Sequence, residues 1–361
     1  MKYKIGIIGR IAEDEKLFDG QTVKTRNLKD MLSEISGLES VYIVDTYNYN
    51  KNLPMVFVKT LICMAKCDKI ILSISINGRK VFFPLLYYLN KIFRKEIYHS
   101  LIGGRLVANI EQFPSWKKYV KAFKANWVET HELVESLENI GVDNAIYIPN
   151  FKKISPIDKK MMKKYESDIF KFCTFSRVQE LKGITDAILT MKKIKEDNPN
   201  IKIHLDIFGP IDRDYETQFL KLVNDNNEIV SYEGCIDASL SVEYLENYYM
   251  LLFPTKYFNE GIPGTIIDAM ASGLPVIASN WHYCNEMIQH LYNGLVYNFD
   301  DQAGLKNMVE YAVLHSDLIN NMKEHCLEKA SEYMYINVIN RIRTSMNMKM
   351  ETIDESYTSN T

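Results

Sequence analysis

The sequence has few cysteines and no long hydrophobic run. Its six cysteines are scattered over 361 residues without a C-x-x-C pair, which excludes a disulfide scaffold and is typical of a reducing compartment. No run of about 18 apolar residues is present to span a membrane, and the amino terminus lacks the apolar core of a signal peptide. We therefore expect a soluble cytoplasmic protein, and its length suggests two domains.

The sequence also lacks the glycine-rich loop of dinucleotide-binding enzymes. The first apolar run contains Gly6-Ile-Ile-Gly9-Arg10, which does not fit the spacing G-x-G-x-x-G, and no Walker A segment occurs. Without closely spaced glycines before a helix, a pyrophosphate cannot approach the backbone as it does in dehydrogenases. These absences argue against an NAD-dependent enzyme.

The net charge of −3 conceals an uneven distribution. Residues 1–150 contain 21 Lys or Arg and 16 Asp or Glu, so the first part carries +5 and the remainder −8. The basic excess is concentrated in residues 51–128, which contain 14 basic and three acidic residues. Such asymmetry indicates an anionic partner for the first part, although lysine-rich helices exposed to solvent explain it equally well.

Short apolar runs alternate with longer amphipathic segments, which predicts right-handed βαβ units and parallel sheets covered by helices. The predicted strands lie near residues 4–8, 41–44, 70–74, 97–102, 127–129, 172–175, 203–208, 229–232, 250–253, 275–278 and 295–297. Pro149 and Pro156 prevent a regular element between the fifth and sixth of these strands. We predict an α/β protein with two Rossmann-like domains, 1–150 and 151–334, that face each other across a cleft.

The most informative segment is NEGIPGTIIDAMASGLPVIAS, residues 259–279, which follows an apolar strand. The loop that opens its helix contains Gly261, Ile262, Pro263, Gly264 and Thr265. A helix amino terminus exposes unpaired N–H groups and partial positive charge, so it can bind an anion. Glu260 stands at the loop entrance, and Asp268 lies one turn into the helix, where a carboxylate can accept hydrogen bonds from a diol such as ribose. On pattern alone, the alternative is a strand–loop–helix unit with a surface acid.

This segment resembles the E-x7-E region of retaining glycosyltransferases of the GT-B fold, in family 4 of nucleotide-sugar enzymes. It matches the form EGxPxxxLEAMAxGxPVIAS nearly residue for residue, with Asp268 in place of the second Glu. The resemblance implies that Glu260 orients the transferred sugar, that residues 261–265 bind the donor and that Asp268 contacts the ribose. Asp268 keeps the charge of the usual Glu but is shorter by one methylene.

The segment Ser176-Arg177-Val-Gln-Glu-Leu-Lys182-Gly183 resembles the G-R-x4-K-G segment of the same family, whose Arg and Lys bind the donor diphosphate. Two cations after the first strand of the second domain suit a doubly charged leaving group, and Arg can bind phosphate through two hydrogen bonds. Ser176 replaces the usual Gly. The alternative is an exposed basic loop with an ordinary Glu180–Lys182 pair.

Further positions resemble the family in the first domain and the linker. Gly20 corresponds to a loop whose backbone approaches the donor phosphates, and Asp19 also suits a helix N-cap. His99 ends the fourth strand, close to the position at which members of the family often carry a histidine that touches the donor sugar. The alternative is a histidine of the core. Ile148-Pro149-Asn150 resembles the interdomain linker. The family fold also implies that residues 335–361 form a helix that crosses back to the first domain, followed by a frayed tail.

The resemblance implies a retaining GT-B glycosyltransferase that uses a nucleotide-diphosphate sugar as co-substrate and needs no cofactor. No metal is expected, because Arg177, Lys182 and the helix amino terminus offset the charge of the leaving diphosphate. We predict Glu260, His99, Arg177 and Lys182 as catalytic residues. No nucleic acid partner is expected.

The acceptor is predicted from charge. Aromatic residues interleave the basic stretch 51–128, and each basic residue near an anionic bilayer contributes about 1 kcal/mol of attraction. The favoured acceptor is therefore a lipid-diphosphate-linked glycan at the inner face of the cell membrane, as in capsule, O-antigen or exopolysaccharide synthesis. The alternatives are a glycosyltransferase for a soluble small acceptor and a non-catalytic protein that binds sugar nucleotides.

Overall fold

The strands form two parallel sheets of six, one in each part of the chain. The computed structural model describes residues 3–348 except Asp14, Lys16, Phe18, Leu38, Glu39 and Asn50. The first sheet contains β1 (Tyr3–Gly9), β2 (Val41–Asp45), β3 (Cys67–Ser73), β4 (Glu96–Ser100), β5 (Ala125–Val128) and β6 (Ala145–Tyr147). The second contains β7 (Phe170–Phe175), β8 (Ile203–Phe208), β9 (Val230–Gly234), β10 (Met250–Phe253), β11 (Val276–Ser279) and β12 (Gly294–Tyr297). The predicted α/β class with two Rossmann-like domains is confirmed.

Helices connect the strands and cover the sheets. The first domain contains α1 (Gly20–Ser36), α2 (Leu53–Lys66), α3 (Ile76–Phe93), α4 (Leu106–Gln112), α5 (Ser115–Ala122) and α6 (His131–Asn139). The second contains α7 (Ile184–Asp197), α8 (Glu216–Asn224), α9 (Ser241–Leu245), α10 (Gly264–Ala271), α11 (Cys284–Met287), α12 (Gln302–Leu314) and α13 (Ser316–Ala330), and α14 (Tyr335–Ser345) follows. Among the described residues, no helix is both long and apolar enough to cross a bilayer. The predicted tail lies outside the described residues.

Some short elements are not predicted by the apolar pattern. Strand β6 has three residues at the sheet edge, and Ile146 in its middle is 36% exposed, so it lacks a buried apolar run. Helix α6 buries only Leu133 and Leu137, and it begins where the Thr130 side chain accepts a hydrogen bond from the N–H of Leu133. Such elements depend on their neighbours and on local capping rather than on a long hydrophobic stripe.

The core of the first domain includes residues from the end of the chain. Ile5 and Ile7 in β1 are fully buried in one hydrophobic cluster with Val338 and Ile342 of α14. Ile8 belongs to a different cluster, as expected for a strand whose successive side chains point to opposite faces. Helix α14 therefore packs on the first sheet, although it follows the second domain in sequence.

The chain crosses between the domains twice, and the two crossings lie side by side. The first crossing contains Asn150 and Lys152, and the second contains Tyr333 and Met334. The N–H of Lys152 donates to the carbonyl of Tyr333 at 3.3 Å, and Lys152 forms a parallel bridge with Met334. The two connections are thus joined through their backbones.

The strand orders locate a crevice at the carboxyl edge of the second sheet, opposite the first sheet. The first sheet has the order β2-β1-β3-β4-β5-β6, and the second has the order β12-β11-β10-β7-β8-β9. In such sheets ligands bind at the carboxyl ends of the strands where the order reverses, here between β7 and β10. The hydroxyl of Tyr283, after β11, donates to the carbonyl of Gly104, after β4, at 2.7 Å. The carboxyl edges of the two sheets therefore face each other across a cleft.

Candidate active site

The loops after β7 and β10 meet at the point where the strand order of the second sheet reverses. Gly183 follows a short 3-10 helix, Glu180–Lys182, and has a φ of +70°. A Cβ on Gly183 would lie 1.8 Å from the carbonyl oxygen of Pro254, so only glycine permits this approach. The close packing brings Lys182 to the end of β10, where Glu260 lies.

Lys182 and Glu260 form an ion pair, with Nζ 2.5 Å from Oε2. Both side chains are 17% exposed, so a ligand in the cleft can reach them. The Thr255 hydroxyl lies 3.4 Å from the same carboxylate oxygen, and the other oxygen of Glu260 has no hydrogen-bond partner among the described residues. The lysine retains N–H donors for a phosphate, and the free carboxylate oxygen is available to a sugar hydroxyl.

Arg177 follows β7 and lines an open groove of the second domain. Its side chain is exposed and forms no ion pair with a described residue. The groove of about 410 Å³ is lined by Arg177, Pro210, Ile211, Asp212, Arg213 and Asp214. The sequence motif predicts Arg177 but not Arg213, which follows β8 and enters the groove only because β7 and β8 are adjacent. The groove offers two guanidinium groups to an anionic ligand.

The predicted donor loop, residues 261–265, leads into α10, which begins at Gly264. Hydrogen bonds from the first domain and the linker hold this loop. Ile262 is buried, its N–H donates to Oε2 of Glu129 at 3.2 Å, and its carbonyl accepts from Nδ2 of Asn150 at 2.9 Å. Pro263 precedes α10 as its cap residue. Glu129 is not predicted by any motif; the available signal is an acidic residue directly after the buried strand β5.

Asp268 lies in α10 but is fully buried. It accepts a hydrogen bond from the Ser241 hydroxyl at 3.0 Å and forms an ion pair with Lys152 of the linker. Burial raises the pKa of the Asp268 carboxyl, and the charge of Lys152 opposes that shift. The ribose contact stays a prediction, and a hydroxyl reaches this carboxylate only if the side chains around it move. Thr265, one position after Gly264, is half-buried.

Gly20 is the first residue of α1, and the space where its Cβ would lie is empty to 4 Å. Asp19 caps this helix by accepting from the N–H of Thr22 at 3.2 Å, as its position before the helix predicts. Asp19 also forms an ion pair with Arg10, which follows β1. The backbone of Gly20 is therefore accessible, and its contact with donor phosphates stays a prediction.

His99 lies in the interior of the first domain. It is fully buried, its Nδ1 is 3.2 Å from Oδ1 of Asn126, and the Phe83 ring packs against it at 5.0 Å between centroids. Burial, assisted by the charge of Arg79, holds the pKa of His99 well below its usual value. The structure does not bring His99 to the cleft surface with Lys182 and Glu260. This position favours the core-histidine alternative, and a role at the donor sugar stays a prediction.

Comparison with known families identifies the second domain. Residues 170–313 match the family model described as Glycosyl transferases group 1. They form a glycosyl transferases group 1 domain. The matched range contains Arg177, Lys182, Glu260 and Asp268, and so every predicted donor-binding residue of the second domain lies inside it. The narrower assignment to family 4 stays a prediction.

Two curated proteins are similar in sequence over part of their length. The chain is 26% identical over 190 residues to an uncharacterized 41.2 kDa protein in the cps region of Klebsiella pneumoniae, covering 53% of this chain and 49% of that protein. It is 30% identical over 143 residues to the capsular polysaccharide biosynthesis glycosyltransferase CapH of Staphylococcus aureus, covering 40% and 38%. The chain matches about half or less of the length of these relatives.

The fold is also similar to that of Anabaena Alr3699/HepE, solved in complex with UDP. The TM-score is 0.73 at 13% identity, and the match covers 95% of this chain and 99% of that chain. At this identity the likeness establishes the fold alone. The architecture is GT-B, with two Rossmann-like domains facing across a cleft.

Proposed function

We propose that this protein is a retaining, metal-independent glycosyltransferase of surface-polysaccharide synthesis. It moves a sugar from a nucleotide-diphosphate donor to a glycan acceptor. The observation that carries this proposal is the Lys182–Glu260 pair, which lies at the reversal of strand order within the glycosyl transferases group 1 domain. The named capsular function of CapH supports the polysaccharide assignment, and the UDP bound to Alr3699/HepE supports a UDP-sugar donor.

The residues divide the work on the donor. Lys182 and Arg177 bind the diphosphate, and the amino terminus of α10 adds its partial positive charge. These groups stabilise the negative charge that develops on the leaving diphosphate, which is the task of a divalent ion in metal-dependent transferases. Glu260 accepts a hydrogen bond from a hydroxyl of the transferred sugar and so fixes the sugar beside the leaving group.

The donor reaction is tested with the full chain and a panel of UDP-, GDP- and other nucleotide sugars in the presence of EDTA. We expect turnover of one donor, and we expect Arg177→Ala and Glu260→Ala to reduce it at least a hundredfold. Lys192→Met, an exposed lysine of α7, is the matched control and should keep full turnover. Activity that survives both site variants would exclude this site, and donor binding without any turnover would favour a non-catalytic sugar-nucleotide-binding protein.

The acceptor proposal rests on an exposed surface of the first domain, here called the apolar-basic face. Leu53, Met55, Phe57 and Val58 of α2 are between 45% and 58% exposed. On α3 the exposed apolar residues are Ile76, Val81, Tyr88 and Ile92. The exposed lysines of the face, none of which forms an ion pair with a described residue, are Lys59, Lys80, Lys91, Lys117, Lys118 and Lys121.

The apolar-basic face begins at the rim of the cleft. A helix that follows a parallel strand begins at the carboxyl edge of the sheet, so the first turn of α2, at Leu53, lies on the cleft side. Exposed apolar residues on the same helices as lysines without an ion pair to a described residue fit an anionic bilayer, because the apolar groups enter the interface and each cation contributes about 1 kcal/mol. We propose that this face holds the enzyme at a membrane while the cleft receives a lipid-linked acceptor.

Sedimentation with phosphatidylglycerol-containing vesicles tests the membrane contact. We expect the chain to pellet with these vesicles at low salt and to remain in the supernatant with phosphatidylcholine vesicles or at high salt. Phe57→Ser with Val58→Ser should reduce pelleting at least fivefold, whereas Leu314→Ser, a 77% exposed leucine of the second domain, should not. Equal recovery in the supernatant with both vesicle types would instead favour a soluble acceptor.

A further inference from the structure

Glu129 lies at the interface between the two domains although no family motif contains it. It follows β5 of the first domain and is 5% exposed. Its Oε2 accepts a hydrogen bond from the N–H of Ile262, inside the predicted donor loop of the second domain. This bond joins the first domain to the backbone two residues after Glu260.

A buried lysine holds the other oxygen of Glu129. Lys24 of α1, which is 7% exposed, forms an ion pair with Oε1. The same ammonium donates to the carbonyl of Leu101 at 2.6 Å. The Glu129 carboxylate is therefore held from two sides, and its orientation toward the donor loop is fixed.

The donor loop is shaped to receive this carboxylate. A Cβ on Gly261 would lie 2.4 Å from Oε2 of Glu129, a distance that two unbonded atoms cannot adopt. The next nearest atom, the Cα of Gly103, would lie at an ordinary 3.5 Å. Glycine at 261 is thus required by Glu129 rather than by space in general. No left-handed φ is involved at this position.

We propose that Glu129 is a positioning residue through which the first domain holds the donor loop, residues 261–265, and thereby orients the preceding Glu260 toward the transferred sugar. The proposal rests on the proposed function for its effect on turnover, but the contact itself is independent of any activity. Lys182, Arg177 and the amino terminus of α10 bind the diphosphate without Glu129. Removing Glu129 should therefore affect sugar transfer far more than the binding of UDP.

Hydrogen exchange of the free protein tests the contact without reference to turnover. In Glu129→Ala, we expect peptides that contain Ile262 to exchange about tenfold faster, because the N–H loses its acceptor. Peptides from β10, residues 250–253, should not change. Unchanged exchange at Ile262 in this variant would overturn the proposal, whatever the outcome of the donor panel.

Kinetics with the donor that the panel identifies tests the effect on transfer. We expect Glu129→Ala to reduce kcat at least tenfold while the affinity for UDP, measured by calorimetry, changes less than threefold. Glu129→Gln keeps an oxygen for the Ile262 N–H and should recover most of kcat. Equal losses of UDP affinity and kcat, with no recovery by Gln, would mean that Glu129 serves folding only.

A second variant leaves the Lys24–Glu129 charges in place, so it does not depend on a buried lysine losing its partner. Gly261→Ala should lower kcat to about the level of Glu129→Ala, because the new methyl group pushes the loop away from the carboxylate. Since both changes break one contact, the double variant should be no worse than either single variant. If the double variant instead loses kcat by the product of the two single losses, the two changes act independently, which would contradict the proposal.

Discussion

Lys182 and Glu260 are 78 residues apart in the sequence and form an ion pair in the cleft, with Nζ 2.5 Å from Oε2. In the absence of a donor, the Glu260 carboxylate accepts one of the hydrogen bonds that the Lys182 ammonium can donate. A diphosphate that binds Lys182 must compete with Glu260 for it. The pair therefore holds both side chains in place for a donor. It also lowers the affinity for a diphosphate that binds without the sugar.

This competition predicts opposite effects for the two partners. Glu260→Gln should raise the affinity for UDP about threefold to tenfold, because Lys182 loses a competing carboxylate worth about 1 kcal/mol, while turnover falls strongly. Lys182→Met should lower the affinity for UDP at least tenfold. Isothermal titration calorimetry with UDP measures both. Weaker binding by the two variants alike would contradict the competition.

Gly183 should be the least replaceable glycine of the donor site. Gly183→Ala places a Cβ 1.8 Å from the Pro254 carbonyl oxygen at a φ of +70°, so both strain and a clash result. Gly141 has a similar φ of +72° but only a lysine amine at 3.9 Å. We expect Gly141→Ala to cost about 1 kcal/mol and Gly183→Ala clearly more, with loss of UDP binding. Urea unfolding compares them, and equal costs would show that the contact with Pro254 is unimportant.

Helix α14 should stabilise the first domain. Ile342 is fully buried among first-domain residues, whereas Ile336 on the same helix is 44% exposed. We expect Ile342→Ala to lower the free energy of unfolding by about 2–4 kcal/mol and Ile336→Ala by less than about 0.5 kcal/mol. Chemical unfolding followed by tryptophan fluorescence measures this difference, since Trp127 lies in the same cluster. Similar values for the two variants would contradict the packing of α14.

His99 should make stability depend on pH. Its pKa is lowered in the folded state, chiefly by burial, so the unfolded chain binds a proton below about pH 6.5 while the folded chain does not. The contribution of His99 to the free energy of unfolding is therefore fully present above that pH. It decreases by about 1.4 kcal/mol for each pH unit below it. His99→Gln removes this contribution, and its unfolding midpoint should fall less between pH 7.5 and 5.5. Parallel losses in both proteins would contradict it.

The sequence predicts well those features that depend on local patterns. The parallel sheets follow from apolar runs that alternate with amphipathic helices, and the places of Lys182 and Glu260 in loops after strands follow from two motifs. The ion pair between these two residues is not predicted from the sequence. The first of these motifs contains Gly183, whose close packing against Pro254 brings the loops after β7 and β10 together. At these points the local sequence pattern and the global fold agree, so the fold class can be predicted.

Features that depend on contacts between distant segments are not accessible in this way. Glu129 meets Ile262 only because the two domains face each other, and no spacing in the sequence links residues 133 positions apart. Asp268 fits a surface role by its motif, yet Lys152 of the linker and Ser241 of α9 enclose it. His99 lies near the carboxyl end of β4, where active-site residues are often found, but its ring is buried against Phe83 and Asn126.

The paired crossings between the domains determine how the cleft opens. A single connection would act as a tether and allow the domains to turn in any direction. Two connections joined by the hydrogen bond between Lys152 and Tyr333 restrict that freedom, and we expect the domains to rotate about one axis that passes near them. Because Lys152 also forms an ion pair with Asp268 in α10, the start of this helix lies close to that axis. We expect rotation about that axis to move the outer walls of the cleft more than the start of α10, so that a donor bound there as proposed is released when the cleft widens.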